Sequence, residues 1–283
     1  MPELAIALGT LTRRGAARLA QAGVVDPRRE ALRIWAELNQ VDPAQALLAH
    51  VDVDGSSGVR YQRAIERRAA GEPLHHVTGW AGFRHLSLRS DGRALIPRPE
   101  TEGLVELLLQ RTRSGRVVDI GTGSGCIALS LALEGEFTAV IGVDCSIDAL
   151  TLARENRQLV GAPVELLRGD LCAGLRSGGF DALISNPPYL TAAEYAGLDP
   201  SVRRWEPALA LESGEDGLEA TLRLLDQGRD VLRAGGWLAL EVDCARAGAA
   251  AHRASALGWE DVGIHLDLFG RERYLLARRS NTR

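Results

Sequence analysis

The run Phe180-Asp-Ala-Leu-Ile-Ser-Asn-Pro-Pro-Tyr189 restricts what this chain can fold into more than any other stretch. Residues 180–185 are a short, mostly apolar segment between Gly178-Gly179 and a double proline, the pattern of a buried strand. Pro187 and Pro188 lack an N–H for a sheet ladder and hold φ at about −65°, so the strand must end there. Asn186 and Tyr189 then project from a stiff corner at the carboxyl end of a strand, where open α/β sheets hold ligands. A planar NH2 group needs acceptors for its hydrogens and a flat apolar face. Asn186 offers a side-chain carbonyl, the proline backbone offers C=O groups without competing donors, and Tyr189 offers a ring. A double proline alone would mean only a loop after a core strand. Four such residues in this order are more specific.

A length of 283 residues with 46% apolar content suits about two domains. The net charge of −4 gives no global attraction to nucleic acid. All 33 basic residues are arginine, which excludes a catalytic lysine. Cys126, Cys145, Cys172 and Cys244 have no C-x-x-C spacing and read as small buried hydrophobes in a reducing compartment. The six histidines form no ligand cluster, so no metal site is expected. No apolar run reaches membrane-spanning length, and Arg13-Arg14 follow the first apolar residues, opposite to a signal peptide. A soluble, cytoplasmic protein with no membrane contact is the expectation.

The first third reads as a helical bundle. Residues 3–22 form an Ala/Leu/Arg helix stopped by Gly23, and Asp26-Pro27 and Asp42-Pro43 cap the next two. Leu32, Trp35 and Leu38 share one side, and a further helix over 57–70 ends at Gly71. Its Arg60, Arg63 and Arg67 read first as a solvated face and second as a docking patch. Residues 83–89 alternate, Asp91-Gly92 signals a hairpin turn, and Arg93–Ile96 is the return strand. The expected domains are thus helical over 1–82, a β-hairpin linker over 83–97, and α/β over 98–283.

In the α/β part, Arg116-Val-Val-Asp-Ile-Gly-Thr-Gly-Ser-Gly125 is a strand running into a glycine loop and then a helix. The spacing is G-x-G-x-G with Asp119 before it, not the dinucleotide G-x-G-x-x-G, and the carboxylate suits a cationic ligand end better than a pyrophosphate. Asp144 ends the next strand, where it is either an acceptor for two ribose hydroxyls or a helix cap for 146–160. Asp170 follows a third strand and is placed to accept from an adenine amino group. Residues 190–215, containing Arg203-Arg-Trp-Glu-Pro207, are a lid, a substrate wall or a plain connection. Strand and helix then alternate to a terminal hairpin through Phe269-Gly270, implying a mainly parallel sheet covered on both faces.

Leu95-Ile-Pro-Arg-Pro-Glu-Thr-Glu102, Asp119-Ile-Gly-Thr-Gly-Ser-Gly125, Ser185-Asn-Pro-Pro-Tyr189, Glu206-Pro207 and Gly214-Glu-Asp-Gly-Leu218 together resemble the PrmC/HemK family of peptide-release-factor glutamine methyltransferases. The resemblance implies a seven-stranded, Rossmann-like methyltransferase fold dependent on S-adenosylmethionine, with a small N-terminal helical domain and a hairpin connection. It implies that Gly121, Thr122, Gly123, Ser124 and Gly125 hold the methionine end of the cofactor, Asp144 the ribose, and Asp170 and Leu171 the adenine. Asn186 would also meet the cofactor and, with the Pro187 carbonyl, take the hydrogens of the substrate amide, with Tyr189 against the amide plane and Pro188 as a further substrate contact. Asn186, Pro187 and Tyr189 would be the catalytic set. The implied partner is a class I release factor, methylated on the glutamine of its Gly-Gly-Gln loop by a monomer without direct nucleic-acid binding. Leu171 stands where the family often has an aromatic, and Glu241-Val-Asp-Cys-Ala-Arg246 replaces the usual E-x-G-x-x-Q. The alternative substrate is the exocyclic amine of adenine in nucleic acid, which is also a planar NH2. A non-catalytic binder on the same scaffold is a further alternative.

Overall fold

The structure, a computed structural model, describes residues 6–48 and 52–281. They fall into two compact units: one runs to Trp80 and includes Asp199–Trp205, the other comprises Ala81–Leu198 and Glu206–Arg283.

The first unit contains β1 (Ile6–Ala7), α1 (Leu8–Gln21), α2 (Pro27–Asn39), α3 (Pro43–Leu48), β2 (Asp52–Val53), α4 (Gly55–Ala69) and α5 (Leu74–Thr78). The helix expected from residue 3 starts only at Leu8, because Ile6 and Ala7 pair antiparallel with Val53 and Asp52; residues before Ile6 lie outside the described ones. Asp26 caps α2 by accepting from Arg29 N, and Asp42 accepts from Ala44 N at 2.8 Å at the start of α3. The buried stripe of α2 is Ala31, Ile34 and Trp35, with Leu32 and Leu38 at its margins. Trp35 meets Tyr61 edge-on at 5.8 Å, and the enclosed Tyr61 hydroxyl donates to Ala31 O at 3.1 Å. The arginine face of α4 is partly engaged within the unit: Arg60 donates to Asn39 Oδ1 at 2.7 Å, and Arg67 pairs with Glu72.

The chain continues with β3 (Trp80–Phe83), β4 (Leu86–Arg89), α6 (Pro99–Arg111), β5 (Ser114–Ile120), α7 (Cys126–Glu134), β6 (Glu136–Asp144), α8 (Ile147–Val160), β7 (Val164–Arg168) and β8 (Phe180–Ser185). After the excursion carrying α9 (Ala192–Ala196) and α10 (Pro200–Arg203) come α11 (Glu219–Val231), β9 (Leu232–Glu241), α12 (Ala247–Ala256), β10 (Trp259–Leu266) and β11 (Glu272–Arg279).

The hairpin is β3–β4, turning at Arg84-His85 with Arg84 at φ 49°, so it lies earlier than the 83–96 expected. Asp91-Gly92 does turn the chain, with Asp91 Oδ1 accepting from Arg93 N at 3.1 Å. The Arg93 guanidinium is then drawn to Asp91 and Glu155, both at 2.7 Å, and Arg93–Ile96 becomes cleft wall in place of a strand.

The seven strands of the main sheet run in the order β10-β11-β9-β8-β5-β6-β7. Pairings from β7 to β9 are parallel, and β11 is antiparallel to both its neighbours. Alternation along the strands divides the core. Val118, Ile120, Leu183, Leu238 and Leu240 face one cluster with Leu224, Leu225 and Ala250, whereas Val117, Ala182, Ile184 and Ala239 face another with Leu104, Leu108 and Leu131. Helices α11 and α12 thus cover one face, α6 and α7 the other. The chain departs from β5 towards β6 on one side and returns to β8 on the other, which makes the carboxyl ends of β5 and β8 the switch point of the sheet. Cys172 is buried and Cys126 half-buried, but Cys145 and Cys244 are exposed, contrary to the expectation, because both sit in turns just past strand ends.

One buried side chain ties three segments at that edge. Asn156 of α8 accepts from Arg89 N at 2.7 Å and donates to Arg89 O at 3.1 Å and Ser124 O at 2.9 Å. Asn156→Ala leaves these backbone groups without partners and should destabilise the fold by about 2–4 kcal/mol, read as a lower urea midpoint with unchanged slope.

Candidate active site

The strand ends open into a cleft of about 310 Å³, with Leu95, Ile96, Ile127, Leu171 and Leu209 giving it apolar walls. Of the residues expected from sequence, Gly121, Thr122, Gly123, Ser124, Asp144, Asp170, Leu171, Asn186 and Pro188 line it. Gly125, Pro187 and Tyr189 do not. Gly125, at φ 85°, precedes α7, and a Cβ there would press on Leu129 at 3.3 Å and Ala153 at 3.4 Å, so it serves close packing behind the loop. Pro187 is buried; Tyr189 is half-buried, and burial pushes its phenol up to about 12.

The glycine loop is held from beneath. Asp119 is completely buried; its Oδ2 accepts from Thr122 Oγ1 at 2.6 Å and from Ala128 N, in the first turn of α7, at 3.2 Å. Desolvation raises its carboxyl to about 7. This corrects the expectation of a carboxylate facing a cationic ligand: Asp119 clasps the loop and does not line the cleft. Gly121 adopts φ 72°, and a Cβ there would meet nothing, so a side chain would stand in the open cleft. That bare backbone suits a ligand lying directly against it.

Asp144 accepts from Gly123 N and Ser146 N, both at 2.9 Å, which turns the carboxylate onto the loop. The cap of α8 is Ser146, accepting from Ala149 N at 3.2 Å, so the helix-cap reading of Asp144 falls. Asp170 is exposed, and one carboxylate oxygen takes Arg223 Nη2 at 2.6 Å. The next residue, Leu171, holds φ 50°, an uncommon angle for a side chain of that size. Its apolar face packs on the sheet core and the cleft together. A carboxylate, an apolar shelf and a bare glycine floor together fit an adenosine-bearing cofactor.

On the far side, Asn186 Nδ2 donates to Thr101 Oγ1 at 2.9 Å. With the amide nitrogen anchored on Thr101 through one of its two hydrogens, the Asn186 carbonyl oxygen can accept from a ligand in the cleft.

The 190–215 excursion is pinned at its base: Leu190 N donates to Leu211 O at 2.9 Å and Ser213 N to Leu190 O at 2.8 Å. Its return arm, including Pro207, Leu209 and Ser213, lines the cleft. Arg246, in the position where the loop after β9 departs from the family pattern, donates to Asp216 O at 2.6 Å and pairs with Glu194 at 2.7 Å. That departure therefore braces the excursion.

Thr101 and Glu206 fall inside recognisable motifs with no role legible from the sequence, and nothing local marks Arg223. The side chain of Glu206 is 1% exposed and reaches back to accept from Ile96 N at 3.1 Å and Arg98 Nη2 at 2.6 Å. A charged residue between Trp205 and Pro207 was the available signal. Glu206→Ala unfastens the Ile96–Arg98 wall and leaves a buried N–H unpaired; we expect a loss of about 2–3 kcal/mol in chemical denaturation.

Both parts of the chain are similar to known proteins. Residues 10–79 match the model of the PrmC N-terminal domain, and residues 99–197 that of the methyltransferase small domain. A release factor glutamine methyltransferase of Deinococcus radiodurans is 41% identical over 280 residues, covering 96% of this chain and 99% of the relative. That of Moorella thermoacetica is 42% identical over 270 residues, covering 93% and 95%. The crystal structure of a methyltransferase from Pyrococcus furiosus shares the fold, with a TM-score of 0.53 at 21% identity over 68% of this chain and 88% of that one. The chain belongs to the release factor glutamine methyltransferase family.

Proposed function

We propose that this protein transfers the methyl group of S-adenosylmethionine to the side-chain amide nitrogen of the glutamine in the Gly-Gly-Gln motif of class I release factors, and so supports translation termination. The observation that carries the reading is Asn186, half-buried just past β8 and lining the cleft, with its amide nitrogen donating to Thr101, which leaves its carbonyl oxygen to accept from a substrate.

Bound S-adenosylmethionine supplies an activated sulfonium methyl and leaves as a neutral thioether. The protein's task is alignment. An amide nitrogen is a poor nucleophile because its lone pair is delocalised, and holding it in line with the methyl carbon can supply about 7–11 kcal/mol. In this reading the Asn186 Oδ1 and the Pro187 carbonyl each accept one amide hydrogen, which favours the pyramidal nitrogen and stabilises the charge developing on it. Tyr189, next to the lining Pro188, would bound the plane of the amide. A neutral asparagine does this without the desolvation that a carboxylate would suffer in the same place. Gly121, Thr122, Gly123 and Ser124 would hold the methionine end, Asp144 the ribose, and Asp170 with Leu171 the adenine. Gly125 supports that loop from behind.

The partner is a protein, met by a monomer in the cytoplasm, with the helical domain over 1–82 assisting in docking. The net charge of −4 disfavours the rival substrate, an adenine amine in nucleic acid. Among the described residues no helix is long and apolar enough to cross a membrane.

Incubation with labelled cofactor and either a class I release factor or DNA separates the two substrates, and mass spectrometry of the Gly-Gly-Gln peptide should find one added methyl on glutamine. Asn186→Ala should lower transfer by about 10²–10³-fold while the cofactor Kd, measured by calorimetry, shifts no more than about threefold. Equal loss of both would make Asn186 a cofactor ligand only.

A further inference from the structure

Behind Asn186 lies a buried hydrogen-bond chain that the transfer reaction does not require by itself. Thr101, in the first turn of α6, is 2% exposed, as is Glu241, the last residue of β9. Thr101 Oγ1 donates to Glu241 Oε2 at 2.7 Å and accepts from Asn186 Nδ2 at 2.9 Å. A hydroxyl has one proton, and an ionised carboxylate can only accept. With Glu241 ionised, the Thr101 proton points to Glu241 and the Thr101 lone pair faces Asn186. The Asn186 amide must then direct its NH2 inward and its carbonyl to the cleft.

We propose that Glu241 and Thr101 are positioning residues, a directional relay that sets which end of the Asn186 amide is offered to the substrate. The relay rests on the glutamine-transfer reading above, since an NH2 substrate needs an acceptor there and is repelled by a donor. Its direction is reversible. A protonated Glu241 donates to Thr101, whose proton is freed for Asn186 Oδ1, and the amide then turns its NH2 outward.

Burial pushes the Glu241 carboxyl up to about 7, opposed by the Thr101 hydroxyl, Arg273 on β11 and Arg98 beside α6, and reinforced by Glu100. Tyr189 and Tyr274 also sense its charge, but their phenols are held up to about 12 and stay neutral through this range. The working form is the ionised one, so transfer should rise with pH through about 7 and be lost below it.

The test uses the full-length enzyme with a Gly-Gly-Gln peptide, measuring kcat and KM from pH 6 to 9, cofactor Kd, and peptide Kd with S-adenosylhomocysteine bound. Thr101→Val should reduce kcat by about tenfold or more with an unchanged cofactor Kd, and Thr101→Ser should restore it. Glu241→Gln keeps an acceptor for Thr101 but cannot ionise, so it should retain part of the activity and lose the acid limb of the profile. Should Thr101→Val fold poorly, the pH profile of Glu241→Gln decides alone. Wild-type kcat in Thr101→Val, or an acid limb that persists in Glu241→Gln, overturns the relay while leaving glutamine transfer intact. A wild-type enzyme that adds no methyl to the peptide overturns the underlying reading, and the relay with it.

Discussion

The parallel pairing of β5 with β8 is the contact on which the cleft depends. Its register sets Ile120 opposite Ser185, and the Ser185 hydroxyl donates to Ile120 O at 2.6 Å, locking the two strand ends at one level. Immediately beyond, the chain must leave the sheet on both strands for opposite reasons. Gly121 departs because it can adopt φ 72°, and residues 187 and 188 depart because proline cannot continue a ladder. A glycine floor and a proline corner therefore stand side by side at the switch point. Slipping this register by one residue would turn Val117 and Val118 to the wrong cores and separate the loop from Asn186.

Around that edge the protein buries polar side chains that each fasten neighbouring backbone. Asn156 satisfies both backbone groups of Arg89, Glu206 fastens Ile96 and Arg98, and Asp119 clasps Thr122 to Ala128. Each is far from its partners in sequence or bridges two elements, so each converts loop backbone into rigid wall. The cost is desolvation. Asp119 and Glu241 are both raised to about 7 by burial, so the folded state holds their protons more tightly than the unfolded chain does. Their contribution to stability is whole below the ordinary carboxylate range and declines as pH rises through about 7. Such groups persist where preorganised geometry matters more than stability.

Local signals made much of the site legible. Glycines before a helix, an acidic residue at a strand end and Asn-Pro-Pro-Tyr after an apolar run each reflect backbone chemistry within a few residues, and Gly121, Asp144 and Asn186 do share one cleft. Asp119 was misread because spacing does not reveal which side of the strand end a side chain takes. The hairpin was displaced because Asp91-Gly92 is a sound turn whose following arm found a better partner in Glu155 than in a strand. Thr101, Glu206 and Arg223 stayed silent, since their partners lie 53 to 140 residues away.

By itself, the sequence determined the alternation of strands and helices, the stops at Gly121 and Pro187, and the chemical kinds of group available at the sheet edge. These follow from dihedral limits and apolar periodicity, which act over a handful of residues. Tertiary structure decided which way each polar group points and what it holds: Asp119 beneath the loop, Glu206 against the Ile96–Arg98 wall, and the Asn186 amide turned by Thr101. Glu206 and Asn186 find partners 110 and 85 residues away, and Asp119 takes its side of the strand end only once the loop has folded over it, so spacing along the chain does not encode these directions.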